Sequence, residues 1–151
     1  MRDGKSKSGL RGVARLCAVQ TMYAADMENV DPEKLAEKSS SRPEICITED
    51  ESLFEMDHEF YDRLLRIAVE NLVAVDAVVL KNLAGNWRFD RLSPLMKSVL
   101  RLGVTELLYL LDVPRNVILN EYIEISKAFF DKPEVAFVNG LLDSVLKGAP
   151  E

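Results

Sequence analysis

The chain has 151 residues, of which 48% are hydrophobic and 29% are charged, and its net charge at pH 7 is −6. This length suits one domain with a sizeable buried core, and we expect residues 1–151 to form a single domain. No apolar run reaches the roughly 18 residues of a membrane span, and the N-terminus lacks the apolar segment of a signal peptide. We therefore expect a cytoplasmic protein without a membrane partner.

The charge is distributed unevenly along the chain. The first 16 residues carry five basic side chains against one acidic side chain, so the rest of the chain is strongly acidic. A basic arm on an acidic body is typical of nucleic-acid contact, because its cations displace counterions from phosphates. The alternative is a solvated tail that only aids solubility, and the acidic net charge argues against a general affinity for nucleic acid.

The N-terminal part is predicted to contain an arm, a first helix and an acidic loop. Residues 1–8 are rich in glycine, serine and charge and are expected to be flexible, and a helix is predicted from about Gly9. Its apolar stripe includes Cys17, which we expect to be a buried free thiol. A short helix is predicted to begin at Pro32, and residues 39–57 are predicted to form an acidic loop.

Helical spacing of apolar residues continues through the middle of the chain. It predicts one long helix over about 56–84, followed by a short turn or link in which core packing is favoured for Trp87. Ser93 and Pro94 then predict a helix start, with a capping hydroxyl and a proline at the first helical position. The apolar surface of this helix is broad enough to predict a central element with many neighbours.

Two further helices are predicted near 117–129 and 135–145, after the segment Asp112-Val113-Pro114 ends the central helix. No alternating pattern is long enough to predict a strand. The sequence therefore predicts an all-α bundle of about six to seven helices.

No set of side chains resembles an active site. His58 is the only histidine, and an exposed histidine in an acidic surface is favoured over a metal site that would use Glu55 and Asp62. Neither a catalytic triad nor a phosphate-binding glycine loop is predicted. Glu121 and Glu124 lie three residues apart, and we expect one to cap a helix or pair across the bundle and the other to face water. No catalytic residue, metal or cofactor is expected.

Five short motifs follow one another along the chain. The first helix carries RGVARLCAVQTMY from Arg11, and the other four motifs are RLGVTEL from Arg101, DVP from Asp112, NEYIEISK from Asn120 and FVNGLLD from Phe137. In order and spacing they resemble RxxARxxAxQxLY, LRxAxxEL, DVP, NExxELAK and FVNGVLD of the NusB family of bacterial transcription antitermination factors. The resemblance covers residues 9–147, apart from 28–57.

The resemblance implies a bundle of two three-helix halves that binds the boxA element of nascent ribosomal RNA. It also implies a heterodimer with NusE, a small-subunit ribosomal protein, within an antitermination complex on RNA polymerase. The RNA contacts carried over by position are Lys5, Lys7, Arg11, Arg15 and Phe137. The NusE-facing residues carried over are Tyr23, Met96, Lys97 and Arg101.

These roles agree with the chemistry of the side chains. Arginines can fix the register of a protein on phosphates, and an aromatic ring can stack on an unpaired base. For Phe137, core packing is an equal alternative. The family's arm has adjacent arginines where this chain has RGVAR, which predicts weaker RNA affinity and greater dependence on the partner.

Other functions stay open on sequence alone. The same bundle could be a protein–protein interaction module without specific RNA binding, and some members of the family form homodimers. NusB-like domains also occur fused to ribosomal RNA methyltransferases, but no catalytic domain follows the bundle here, so we expect no enzyme.

Overall fold

The structure is a computed structural model that describes residues 7–30, 34, 56–83 and 85–148. These residues form α-helices and one 3-10 turn at Phe89–Arg91, and no strand occurs among them. The helices are α1 (Lys7–Glu28), α2 (His58–Glu70), α3 (Leu72–Lys81), α4 (Pro94–Tyr109), α5 (Arg115–Phe129) and α6 (Lys132–Gly148). The prediction of an all-α bundle is confirmed, and so is the short helical turn before the central helix.

The central helix of the bundle is α4. The Ser93 hydroxyl accepts a hydrogen bond from the backbone N–H of Met96 at 3.1 Å, and Pro94 occupies the first helical position, as predicted. Among the described residues, α4 packs against each of the five other helices named above. The pairs α1–α2 and α5–α6 also pack within themselves, so α4 joins the two halves of the bundle.

The predicted long helix over 56–84 is wrong, because the chain breaks at Asn71 into α2 and α3. Both the backbone N–H and the side-chain amide of Asn71 donate to the carbonyl oxygen of Ile67, at 3.0 and 2.9 Å. Asn82 ends α3 in the same way, with its side-chain amide 2.8 Å from the carbonyl oxygen of Val78. Asparagine competes for helical carbonyls in this manner and so favours helix ends.

The predicted arm and acidic loop lie mostly outside the described residues. Residue 7 already belongs to α1, so the helix begins two residues earlier than predicted. The loop predicted over 39–57 includes Met56, which is buried, and Asp57, which caps α2 by accepting a hydrogen bond from the N–H of Phe60 at 3.0 Å. Neither residue belongs to a helix, so the structure does not contradict the loop at its last two residues, and the rest of the loop stays a prediction.

Cys17 lies on the buried face of α1, as its place in the apolar stripe predicted. It is disulfide-bonded and not free, so the expectation of a free thiol is wrong. Helical spacing predicts burial, whereas a disulfide depends on where the tertiary fold brings a second sulfur atom.

Candidate nucleic-acid interface

Arg11 is a partly exposed cation in the N-terminal half of α1, with 28% of its side chain accessible. Its Nε lies 3.5 Å from a carboxylate oxygen of Asp57, and its Nη1 lies 3.8 Å from Asp112. The guanidinium also lies 4.6 Å from the centre of the Phe60 ring. These neighbours position Arg11 without covering it, so it can still reach a phosphate.

Arg15, four residues later on the same helix, is buried, with only 2% exposed. Its Nε and Nη2 donate to the two carboxylate oxygens of Glu106 at 2.6 and 3.0 Å. Its Nη1 lies 3.4 Å from Glu121. A guanidinium enclosed in this way presents no surface to a phosphate, so the structure assigns Arg15 to the core and not to the expected set of direct RNA contacts.

Glu106 is fully buried on α4 and joins three helices through its carboxylate. Besides Arg15 from α1, it accepts a hydrogen bond from the hydroxyl of Tyr122 on α5 at 2.6 Å. Glu121 reaches the same arginine, whereas Glu124 pairs with Lys127 at 3.2 Å on the surface. The expected division between Glu121 and Glu124 is confirmed.

This buried network should make stability depend on pH in alkaline solution. Burial, followed by the negative charge of Glu106, raises the pKa of Tyr122 well above its usual value. The contribution of Tyr122 to the free energy of unfolding is then fully present below the pKa of about 10 that it has in the unfolded chain. It is lost as pH rises through the higher pKa of the folded state. We expect urea unfolding to show a falling free energy of unfolding above about pH 10. Tyr122→Phe should reduce that slope, whatever its effect at neutral pH, and parallel curves for parent and variant would contradict this assignment.

Sequence reasoning missed Arg63, a cation on α2 that lies beside Arg11. Its guanidinium is 5.7 Å from the centre of the Phe60 ring, so the arginines at 11, 15 and 63 all lie within 6 Å of one aromatic ring. Arg63 Nη2 donates to both carboxylate oxygens of Asp112 at 3.3 and 3.2 Å. The spacing of Phe60 and Arg63, one helical turn apart, was the available signal.

The arginines at 11, 63 and 66 line a cleft of about 480 Å³ together with Asp57, Glu59 and Asp62. Asp112 pairs with Arg11 and Arg63. Burial alone would raise the pKa of Asp112, but the hydrogen bond from Arg63 and the charges of Arg63 and Arg11 outweigh it and lower that pKa. The carboxylate is therefore ionised at neutral pH and neutralises part of the arginine charge.

Phe137 lies on α6, where its half-buried ring packs against the core. It also stacks on Trp87, with ring centres 4.0 Å apart and planes 22° apart. Trp87 itself is 40% exposed, so the favoured core packing of Trp87 is wrong. The two rings form a partly exposed aromatic pair at the surface.

Lys5 lies outside the described residues, and Lys7 is the first residue of α1. For both, the expected RNA contact stays a prediction. The structure brings Arg11 and Arg63 together, whereas the aromatic pair belongs to α6 and to the segment that precedes α4.

The expected NusE-facing residues have different environments. Met96 is 3% exposed, so its side chain belongs to the core and presents almost no surface to a partner. Tyr23 and Lys97 are half-buried, and Lys97 Nζ lies 5.0 Å from the centre of the Phe89 ring. Phe89, which sequence reasoning did not select, is also 5.9 Å from the guanidinium carbon of Arg101.

Arg101 lines a surface groove of about 230 Å³ together with residues of α1, α2 and α3. Its Nε and Nη2 donate to the carboxylate of Asp76 on α3 at 2.7 and 2.9 Å. The groove includes Met22, Ala25 and Leu72 and also Asp26 and Asn29, so it combines apolar surface with polar and charged groups. Such a combination suits contact with another protein.

Neither a metal-binding cluster nor a membrane-spanning helix occurs in the described part of the chain. No cluster of three or more histidine, cysteine, aspartate or glutamate side chains there could hold a metal ion. Among those same residues, no helix is sufficiently long and apolar to span a membrane.

The NusB family model matches residues 13–147 of this chain. The chain belongs to the NusB family. The transcription antitermination protein NusB of Caulobacter vibrioides is 38% identical to it, over 92% of this chain and 93% of the relative. The protein of the same name from Sphingopyxis alaskensis is 36% identical, over 91% and 92%.

Solved NusB structures share the fold. NusB from T. maritima superposes with a TM-score of 0.74 at 28% identity and covers 97% of this chain and 94% of its own. A chain in a crystal structure of the antitermination factors NusB and NusE in complex with double-stranded RNA superposes with a TM-score of 0.70 at 25% identity. That match covers 90% of this chain and 95% of the other.

Proposed function

We propose that this protein is a transcription antitermination factor that binds boxA RNA of nascent ribosomal RNA transcripts together with NusE. In this role it joins an antitermination complex on RNA polymerase and helps the polymerase read through terminators. The observation that carries the proposal is its likeness, over most of both chains, to the structure that holds NusB and NusE with RNA. Membership of the NusB family supports the same assignment.

Within this proposal, residues 1–151 act as one RNA-binding domain in the cytoplasm, without catalysis. Arg11 contacts phosphate and Phe137 belongs to the aromatic surface that receives a base, with Lys5 and Lys7 extending the cationic surface. Arg15 acts indirectly, because it is bonded inside the core and fixes α1 against α4 and α5. The thin arm provides few cations, so the affinity for RNA depends on the partner.

NusE is proposed to bind the surface around Arg101, Lys97 and Tyr23. The groove beside Arg101 supplies apolar area, and the Asp76 carboxylate holds the arginine in place. Met96 supports this surface from beneath, since its side chain is buried. A homodimer that masks the RNA surface would compete with RNA binding.

A fluorescence titration of labelled boxA RNA tests the assignment, with and without equimolar NusE, against a scrambled RNA at two salt concentrations. We expect tight binding that requires both the boxA sequence and the partner. Equally weak binding to both RNAs, whether or not NusE is present, would overturn the RNA-specific function and leave a protein-interaction module.

Replacing Arg11 by alanine should reduce the salt dependence of boxA binding. The logarithm of the association constant falls with the logarithm of salt concentration by roughly 0.7–0.9 per neutralised phosphate. The variant slope should therefore be shallower by about that amount, with weaker binding at low salt. Lys81→Ala is the matched control, because Lys81 is an exposed cation at the end of α3. If the salt dependence is unchanged in Arg11→Ala, Arg11 is not part of the RNA interface.

A further inference from the structure

Trp87 is a large, partly exposed ring that belongs neither to the core nor to the arginine cluster of α1 and α2. It lies between Gly85, whose backbone has a φ of +51°, and the 3-10 turn Phe89–Arg91. One face of the indole is covered by Phe137 at a centroid distance of 4.0 Å. The 40% of the residue that is accessible therefore belongs to the other face and the edges.

The surroundings of this ring suit a planar base attached to an anionic phosphate backbone. Arg88, the next residue, has 67% of its side chain exposed, and its Nε lies 3.4 Å from Asp90, so a cation lies beside the aromatic pair. On α6, Gly140 follows Phe137 by nearly one turn, and a Cβ atom placed there would meet no heavy atom within 4 Å. The surface next to Phe137 is thus open.

We propose that Trp87 stacks on an unpaired base of the bound RNA, with the Phe137 ring supporting it from behind. This inference rests on the function proposed above and adds a base-binding residue to it. The two rings are nearly parallel at 4.0 Å, so a base on the open face of the indole would extend an existing stack. Aromatic rings bind unpaired bases with little dependence on sequence, whereas paired bases are not available for such stacking.

The fluorescence of the protein reports on this site directly, because Trp87 is the only tryptophan in the chain. Single-stranded boxA RNA should quench its emission, and the same RNA annealed to its complement should leave the emission unchanged. The titration is run on the full chain with NusE, and an identical titration of Trp87→Phe is subtracted to remove any contribution from the partner. Anisotropy of labelled RNA in the same samples measures binding independently.

Trp87→Ala should weaken binding of single-stranded boxA RNA by about 5- to 150-fold, the range for loss of one stacked base. Trp87→Phe keeps an aromatic ring and should stay within about threefold of the parent. Tyr109→Ala is the control, since Tyr109 is an aromatic of similar exposure, 37%, at the other end of α4. Its removal should leave RNA affinity unchanged.

The possible failures can be told apart. If the parent binds boxA RNA by anisotropy but its emission is unchanged at saturation, or if Trp87→Ala binds as tightly as the parent, the stacking role is overturned and the proposed function stands. If the parent binds no boxA RNA with NusE present, both are overturned. Quenching by duplex RNA equal to that by the single strand would also overturn stacking on an unpaired base.

Discussion

Replacing Arg15 by methionine should lower the free energy of unfolding by about 3–5 kcal/mol, the usual cost of breaking a buried ion pair from one side. Methionine fills much of the volume of arginine but leaves the carboxylate of Glu106 without its cation. Glu106 has no exposed surface at which water could replace the lost bonds. Urea denaturation at neutral pH measures the change, and a loss below about 1 kcal/mol would contradict the structural role of Arg15.

Two further variants separate the effect of charge from that of packing. Arg15→Met combined with Glu106→Gln removes the uncompensated charge and should recover part of the lost stability. Lys127→Met is the matched control for an exposed pair, because Lys127 and Glu124 have 59% and 70% of their side chains accessible. It should change stability by no more than about 0.5 kcal/mol.

The expected loss of stability in Arg15→Met also affects how RNA binding by Arg15 variants is interpreted. A variant that is several kcal/mol less stable can lose RNA binding because part of it is unfolded, without any lost phosphate contact. Arg11 is the informative position, since 28% of its side chain is accessible and its ion pairs are longer, at 3.5 and 3.8 Å. A shallower salt slope at Arg11, at full stability, would identify a contact.

The contrast between Arg11 and Arg15 shows how far sequence can predict this site. Their spacing of four residues correctly predicts neighbouring positions on α1. The spacing does not show that α4 covers Arg15 and not Arg11. The residue of α4 that bonds to Arg15 is Glu106, which lies 91 residues further along the chain. Glu106, a carboxylate within the broad apolar surface of α4, indicates from sequence that a buried cation is needed. It does not indicate which residue supplies that cation.

The fold was more predictable than the site because helix starts and apolar stripes are local. Ser93 and Pro94 predict the start of α4 from two adjacent residues, and the structure confirms it. The break at Asn71 was missed because the apolar spacing continues across it, whereas the helix ends at an asparagine whose side chain bonds to a helical carbonyl. The exposure of Trp87 was missed because composition favours the core for tryptophan, whereas its position depends on the packing of α6.

Replacing Gly103 by valine should lower the free energy of unfolding by about 1–3 kcal/mol, the usual cost of overpacking a core. Gly103 lies where α4 meets α5 and α6. A Cβ atom there would be 3.1 Å from both terminal methyl carbons of Leu142 and 3.4 Å from Cγ of Tyr122. The branched side chain would displace these neighbours, including the tyrosine that donates to Glu106. Urea denaturation measures the loss.

The same substitution at Gly140 is the matched control, because a Cβ atom there meets nothing within 4 Å. Glycine costs about 1 kcal/mol relative to alanine inside a helix and valine costs less, so Gly140→Val should be neutral or slightly stabilising. Gly103→Ala provides the intermediate case, since the related motif LRxAxxEL has alanine there. Its Cβ requires Leu142 to move by only a few tenths of an ångström, so helix propensity offsets part of the crowding. Equal effects of valine at positions 103 and 140 would show that the close packing of α4 against α6 contributes nothing to stability.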